Sequence, residues 1–442
     1  MQSIKLNATR QTAIASVFLV ANAFIWYFLA ARTIDQTLSV ATVSSFNILL
    51  IWAVHFALLM LSLVSGALLV RKVKRKTLFL FWILLGVASP LPLLAVHFAV
   101  VPIMLLTAGL LGFSIGIGMP NCMAFFTQST KNDNRGRFGG ITMFSSAIGF
   151  FALALINTGD VGNIALLSIW RLMALFVFLL VKPFEDSGLE TKPAYFRSVL
   201  NQRSFLLYVI PWVMFSLVNY LSTPVQNNVI SNQQTLATLT IIGNGIGGVS
   251  ALAAGFIMDY FGRKSATIVG FALLGLSFSL LGIFPTELSS WYVYMILDGL
   301  TWGVLIVVFV VTIWGDLSQN SSSDTIYALG VLPFFISRFL QIALGNSIAN
   351  NILPNTLFSF IAFFLFLAVL PLVYAPETLP DKIIKDRELK GYIENAKKKA
   401  QQESGKISKK EKLPKIQANE MSEGTKTTKE YETAKKLAEK YY

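Results

Sequence analysis

A chain of 442 residues with 54% hydrophobic and only 13% charged side chains, at a mean hydropathy of +0.62, cannot clothe a water-facing surface of its own size. Its formal charge of +13 is not matched by an aromatic-interleaved basic face or a soluble binding module, so nucleic acid is not an expected partner. The single cysteine, Cys122, excludes an intrachain disulfide, a Cys-rich metal site and a dithiol redox pair, and no cofactor or metal is expected.

Lys5 and Arg10 precede an apolar tract longer than a signal-peptide core, with no cleavage site behind it, which reads as a retained first span. Tracts able to cross ~30 Å of hydrocarbon as helix follow one another at 12–31, 44–70, 77–96, 101–125, 139–158 and 163–181. A second series lies at 205–223, 235–258, 265–284, 290–314, 326–349 and 355–374. The predicted fold class is an all-α membrane protein of twelve transmembrane helices in two pseudo-symmetric six-helix bundles, 1–181 and 204–374. Between them 182–203 is polar and broken by Pro183 and Pro193, a cytoplasmic linker; 375–442 is a Lys/Glu-rich cytoplasmic tail. The halves superpose at an offset of about 189, which sets Gly66 on Gly255, Lys74 on Arg263, Arg75 on Lys264 and His55 on Asn244.

Basic residues collect in alternate loops. Arg71, Lys72, Lys74, Arg75 and Lys76 follow span 2; Lys131, Arg135 and Arg137 follow span 4; Arg263 and Lys264 follow span 8. The opposite loops, with Arg32, Asp35, Asp160 and Glu287, are nearly neutral, which places both termini in the cytoplasm of a multi-pass protein of the cell membrane.

Gly255-Phe-Ile-Met-Asp259-Tyr-Phe-Gly262-Arg263-Lys264 reads as a loop with its own physics. Gly255 permits close helix approach, Gly262 a tight turn, and Asp259 can pair with Arg263 and with the N-terminal dipole of span 9. The run resembles the G-x-x-x-D-x-x-G-R-K gating loop of the major facilitator superfamily. Similarity extends to Asn134-Arg-Gly-Arg-Phe-Gly-Gly140, to span 4 with Gly109, Gly112, Gly116, Gly118, Pro120 and Asn121, and to Pro376-Glu377-Thr378-Leu379. The first-half copy departs from the pattern: Val70 stands in place of the acid and Val73 in place of the second glycine, so the gate is expected to be intact in the second half alone. Span 4 begins Met104-Leu-Leu without the arginine of many members, and span 5 lacks a G-x-x-x-G-P run, so no subfamily is assigned.

An ionisable group at mid-bilayer costs at least ~2.5–3.5 kcal/mol, which singles out His55, Arg171, Asp298 and Arg338. Asp298 and Arg338, near the middle of spans 10 and 11, read as an ion pair, either permanent or competed for by substrate. Arg171 follows Trp170, a pair that is similar to one common in the sixth helix of the superfamily, and packing is its plainer reading. His55 is either a hydrogen-bonded core residue or a proton site. The resemblance implies that helices 1, 4, 7 and 10 line a central cavity, which adds Asn22, Trp26 and Tyr27, Asn219 and Tyr220, and Trp302 to the substrate-binding or coupling candidates.

The expected function is secondary active or facilitative transport of a small molecule by alternating access, the substrate an organic anion or polar metabolite, because Arg171 and Arg338 face only Asp298. A proton-coupled exporter of organic cations or drugs is the alternative, and a non-transporting receptor or scaffold the rival from another class. No H-E-x-x-H helix, G-x-S-x-G elbow or paired intramembrane acids point to an enzyme, and Gly243-Asn-Gly-Ile-Gly-Gly248 has no Lys after it to make a phosphate loop. The expected partners are the small-molecule substrate and membrane lipids, with protons as a candidate coupling ion and the chain as a monomer.

Overall fold

The computed structural model describes residues 2–97, 99–156, 159–181, 195–230, 232–318, 323–379 and 389. Most of the predicted linker, 182–194, and of the tail beyond 379 lies outside the described residues. The chain divides into two compact units, 1–385 and 386–442, and the architecture below is that of the first. Among the described residues it is all-helical and has twelve helices long and apolar enough to cross a membrane.

The first six are α1 (Gln2–Val40), α2 (Ser45–Leu69), α3 (Arg75–Ala88), α4 (Val100–Ser129), α5 (Arg135–Ala154) and α6 (Gly159–Val181). A short α7 (Phe196–Leu200) precedes α8 (Arg203–Val229), α9 (Gln233–Phe261) and α10 (Arg263–Ile283). The next span is continuous but composite: α11 (Leu288–Ile306), a π-helical stretch (Val307–Thr312) and α12 (Ile313–Leu317). It is followed by α13 (Ser323–Asn351) and α14 (Pro354–Tyr374).

Hydropathy located the spans; local hydrogen bonding sets their ends. α1 continues to Val40, past the expected end at 31, so Arg32 and Asp35 stand on its last turns rather than in a loop. The Thr33 and Thr37 hydroxyls there donate back to the Leu29 and Thr33 carbonyls at 2.8 and 2.9 Å. α5 begins at Arg135, not 139, because its first N–H groups find an acceptor outside the helix: Gly136 and Arg137 both donate to Asp259 of α9 at 2.9 Å. Asp259 does pair with Arg263 as expected, at 3.2 Å, but the backbone N–H groups it accepts from are those of α5 rather than of the helix after its own loop. The N-terminus of α10 is capped by Glu377, which accepts from Arg263 N at 2.9 Å and Lys264 N at 3.0 Å.

In the first half α1 packs against α4, α5 and α6, and α2 lies along α4; in the second, α8 packs on α13 and α14, and α9 on α11. The halves meet through α5 on α9 and through α13 on α2 and α4. Small residues make the first of these contacts possible. A Cβ on Gly140 would stand 2.6 Å from Ala251 O, and one on Gly255 would run into Gly136 O, so the two backbones touch. Gly262, the turn between α9 and α10, has φ +98° and faces the Glu377 carboxylate, which leaves no room for a side chain.

Candidate functional site

At the basic end of the bundle the halves are joined by a connected set of ion pairs. Asp259 holds Arg137 Nε and Arg263 Nη2, each at 3.2 Å, in addition to the two α5 backbone N–H groups. Asp316 on α12 receives Arg135 and, at 2.7 Å, Arg263 Nε; its second oxygen also accepts from Thr378 Oγ1 at 3.1 Å. Arg135 and Arg263 are anchored in turn by the carbonyls of Thr127 and Asn132. Ion pairing offsets the desolvation of the buried charges Asp259, Asp316, Arg135 and Arg263, although Arg263 Nη1 has no hydrogen-bond partner.

A further ion pair joins the halves. Arg75, at the start of α3, donates from Nη1 and Nη2 to the two oxygens of Asp324 on α13 at 3.1 and 2.6 Å, and Nη1 also reaches Asn121 Oδ1 at 3.0 Å. Ion pairing is therefore not confined to the second-half loop. Where Val70 replaced the loop acid, the acid is supplied by the opposing helix and the loop supplies the base. Thr127 of α4 and Tyr327 of α13 add a hydroxyl pair at 3.1 Å between the halves.

Farther from the basic end, aromatic rings from both halves converge. Tyr27 of α1 meets Phe335 of α13 edge-on at 5.6 Å, Phe335 meets Phe334 at 5.8 Å, and Phe334 meets Tyr220 of α8 at 5.1 Å and Trp302 of α11 at 6.4 Å. Trp302 Nε1 donates to Asn219 Oδ1 at 2.9 Å. Arg338 projects over the Tyr220 ring at 5.6 Å, donates to Gln341, and is within electrostatic range of Tyr27 and Asp35.

Asp298 is not the partner of Arg338. It accepts from Tyr294 Oη at 3.4 Å, and Gln226 Nε2 reaches that tyrosine at 2.9 Å. The two helices do meet, through Trp302 and Phe334, but Asp298 is engaged by Tyr294 of its own helix, itself bonded to Gln226 of α8, while Arg338 turns to Tyr220 and Gln341.

The other candidates lie elsewhere. Asn22, Trp26 and Arg171 are wholly buried inside the first half, where Asn22 Oδ1 accepts from Arg171 Nη1 at 3.1 Å and its Nδ2 donates to Trp170 O at 2.7 Å. They form a unit of their own, apart from the ring cluster. His55 is buried behind Tyr27, with the rings stacked at 6.5 Å, and its Nδ1 bonds the Ala108 carbonyl at 2.8 Å, which fixes the proton on Nδ1 in the neutral ring. Sequence reasoning missed Asp316, Asp324, Gln341 and the two phenylalanines. The acids carried one signal, a carboxylate on each flank of an otherwise basic-side loop.

No family model and no curated protein sequence matches the chain. Solved structures do. The major facilitator superfamily proton:xylose symporter XylE bound to 6-bromo-6-deoxy-D-glucose aligns with a TM-score of 0.62 over 84% of this chain and 97% of its own, at 13% identity. The major facilitator superfamily transporter FucP in the outward conformation aligns with a TM-score of 0.64 over 83% of this chain and 100% of its own, at 12% identity. The chain is thus a multi-pass membrane protein with the major facilitator fold.

Proposed function

We propose that this protein moves a small polar molecule across a membrane by alternating access, with the basic end cytoplasmic and the two halves, 1–181 and 204–374, rocking as bodies about a site at mid-depth. The observation that carries the reading is that two sets of contacts join the halves along the same helix, α13: the ion pair of Asp324 with Arg75 near its start and the rings of Phe334 and Phe335 about three turns on. Opening the first set would expose the second to the cytoplasm.

Arg338 sets the substrate class. Arg171 is sequestered, Asp298 is engaged by Tyr294, and Arg338 is left against Tyr220 and Gln341 as the cation of the site. A carboxylate or other anionic group on the substrate would accept from it, with the aromatic faces of Tyr27, Phe334 and Trp302 holding the apolar part. A proton-coupled carrier of organic cations is the second reading, favoured by Asp298, which has no basic partner within ion-pair distance among the described residues.

Proteoliposome uptake of matched anionic, neutral and cationic compounds separates these readings; a hexose serves as the neutral arm, since XylE was solved with a bromodeoxyglucose. The expected result is preferred uptake of the anion, with Arg338→Gln weakening its apparent affinity by about tenfold or more, the size of a charge-assisted hydrogen bond. Preferred uptake of the cation, or unchanged anion affinity in Arg338→Gln, overturns the anion reading.

A further inference from the structure

Arg171 on α6 has no part in the path just described, yet it is the most demanding group in the first half. It is 1% exposed and faces α1 and α3. Its guanidinium carbon lies 3.9 Å from the ring centre of Trp82 and 5.6 Å from that of Trp26, so two indole faces offset part of the charge. Only Nη1 has a hydrogen-bond acceptor, the Asn22 amide oxygen, whose direction is fixed by the amide's other bond to Trp170 O. Gly86 of α3 gives the side chain its room, since a Cβ there would stand 2.7 Å from Arg171 Nε.

The remaining polar atoms share one character. Arg171 Nε and Nη2 and the Nε1 of both Trp26 and Trp82 are buried without a hydrogen-bond partner, and all four are donors. Among the described residues no carboxylate forms an ion pair with Arg171. A water molecule could accept two of these N–H groups but would leave the charge uncompensated; a compact anion answers both deficits. We propose that the interior between α1, α3 and α6 holds a small monovalent inorganic anion of the halide class, bound by Arg171 Nε and Nη2 and by the indole N–H groups of Trp26 and Trp82. Because all three side chains are closed off from the surface, the ion is a resident of the bundle rather than cargo. It would also brace α1 at the residue preceding Tyr27.

The test uses the full chain, purified throughout in gluconate, with thermal unfolding followed as chloride or bromide replaces gluconate at constant ionic strength. The expected result is a saturable rise in unfolding temperature for wild type and no such rise for Arg171→Gln. Trp82→Phe, which keeps a ring face and removes one donor, should need about tenfold more halide, the worth of one hydrogen bond to a charged group. Bromide-derived anomalous density beside Arg171 Nε would place the ion directly. Equal unfolding temperatures in chloride and gluconate, or a Trp82→Phe midpoint equal to that of wild type, overturn the proposal; the second comparison decides it even if Arg171→Gln does not fold. Neither readout depends on transport, so failure here leaves the transport reading intact and failure of transport leaves this site intact.

Discussion

Asp316 ties three segments of the basic-end network together: Arg135, Arg263 and the Thr378 hydroxyl all converge on its carboxylate. Removing one member of a buried pair costs roughly 3–5 kcal/mol, so Asp316→Asn should shift the equilibrium toward the open basic end by about a hundredfold or more. In a Cys122→Ser background, a cysteine at Thr127 should label slowly from the basic side in the parent and rapidly with Asp316→Asn added; unchanged labelling would show that Asp316 does not hold the gate. Asp324→Asn should open the same route about as strongly as Asp259→Asn, because each removes one of two parallel locks. A far weaker effect of Asp324→Asn would restore the one-sided gate. Asp259 and Arg263 were legible in the sequence because they sit four residues apart inside one motif. Arg135 and Asp316 are separated by 181 positions, and Arg75 and Asp324 by 249, so nothing local announced either pair.

The composite span from Leu288 to Leu317 is the element that carries both levels of the site. Trp302 lies in its α-helical part and Asp316 beyond the π-helical stretch, whose Thr312 hydroxyl bonds the carbonyls of Val307 and Val308 at 3.0 and 3.1 Å. A π-helical turn carries one more residue than an α-helical one, and hydropathy is blind to it. The wider turn absorbs one extra residue, so deleting Val310 should let the stretch close into α-helix with Asp316 facing nearly as before and about 1.5 Å nearer Trp302 along the axis. The expected phenotype is a folded protein that labels at the Thr127 position as slowly as the parent; labelling as fast as in Asp316→Asn would show that the π turn itself aims the acid. The facing glycines of α5 and α9 make a complementary case. Gly255→Val pushes a side chain into Gly136 O and should disfavour the closed basic end, read by the same cysteine, whereas Gly245→Ala on α9, with open space around it, should be silent.

For the molecule as a whole, the number and class of helices were legible because lipid demands long apolar tracts in which charge is scarce. Which partner each buried polar group takes was not, and the mistaken pairing of Asp298 with Arg338 follows from that gap: Tyr294 and Gln341, on their own helices, engage them instead. The charge asymmetry of the loops makes a prediction at this scale: in a Cys122→Ser background, cysteine at Ser39 should react with an impermeant reagent from outside intact cells, and cysteine at Lys131 should react after permeabilisation alone. The opposite pattern would invert the molecule. The segment after α14 adds a constraint of a different kind. Pro376 accepts from Tyr208 Oη at 2.7 Å, Glu377 caps α10, and Thr378 reaches Asp316, so residues expected to open a solvated tail are built into the lock. Synthesis runs from the N-terminus, and these are among the last of the described residues to leave the ribosome. A nascent chain that has just inserted its twelfth span therefore still lacks part of its own fastening, and a message truncated at Tyr374 would yield every helix but a door that does not latch.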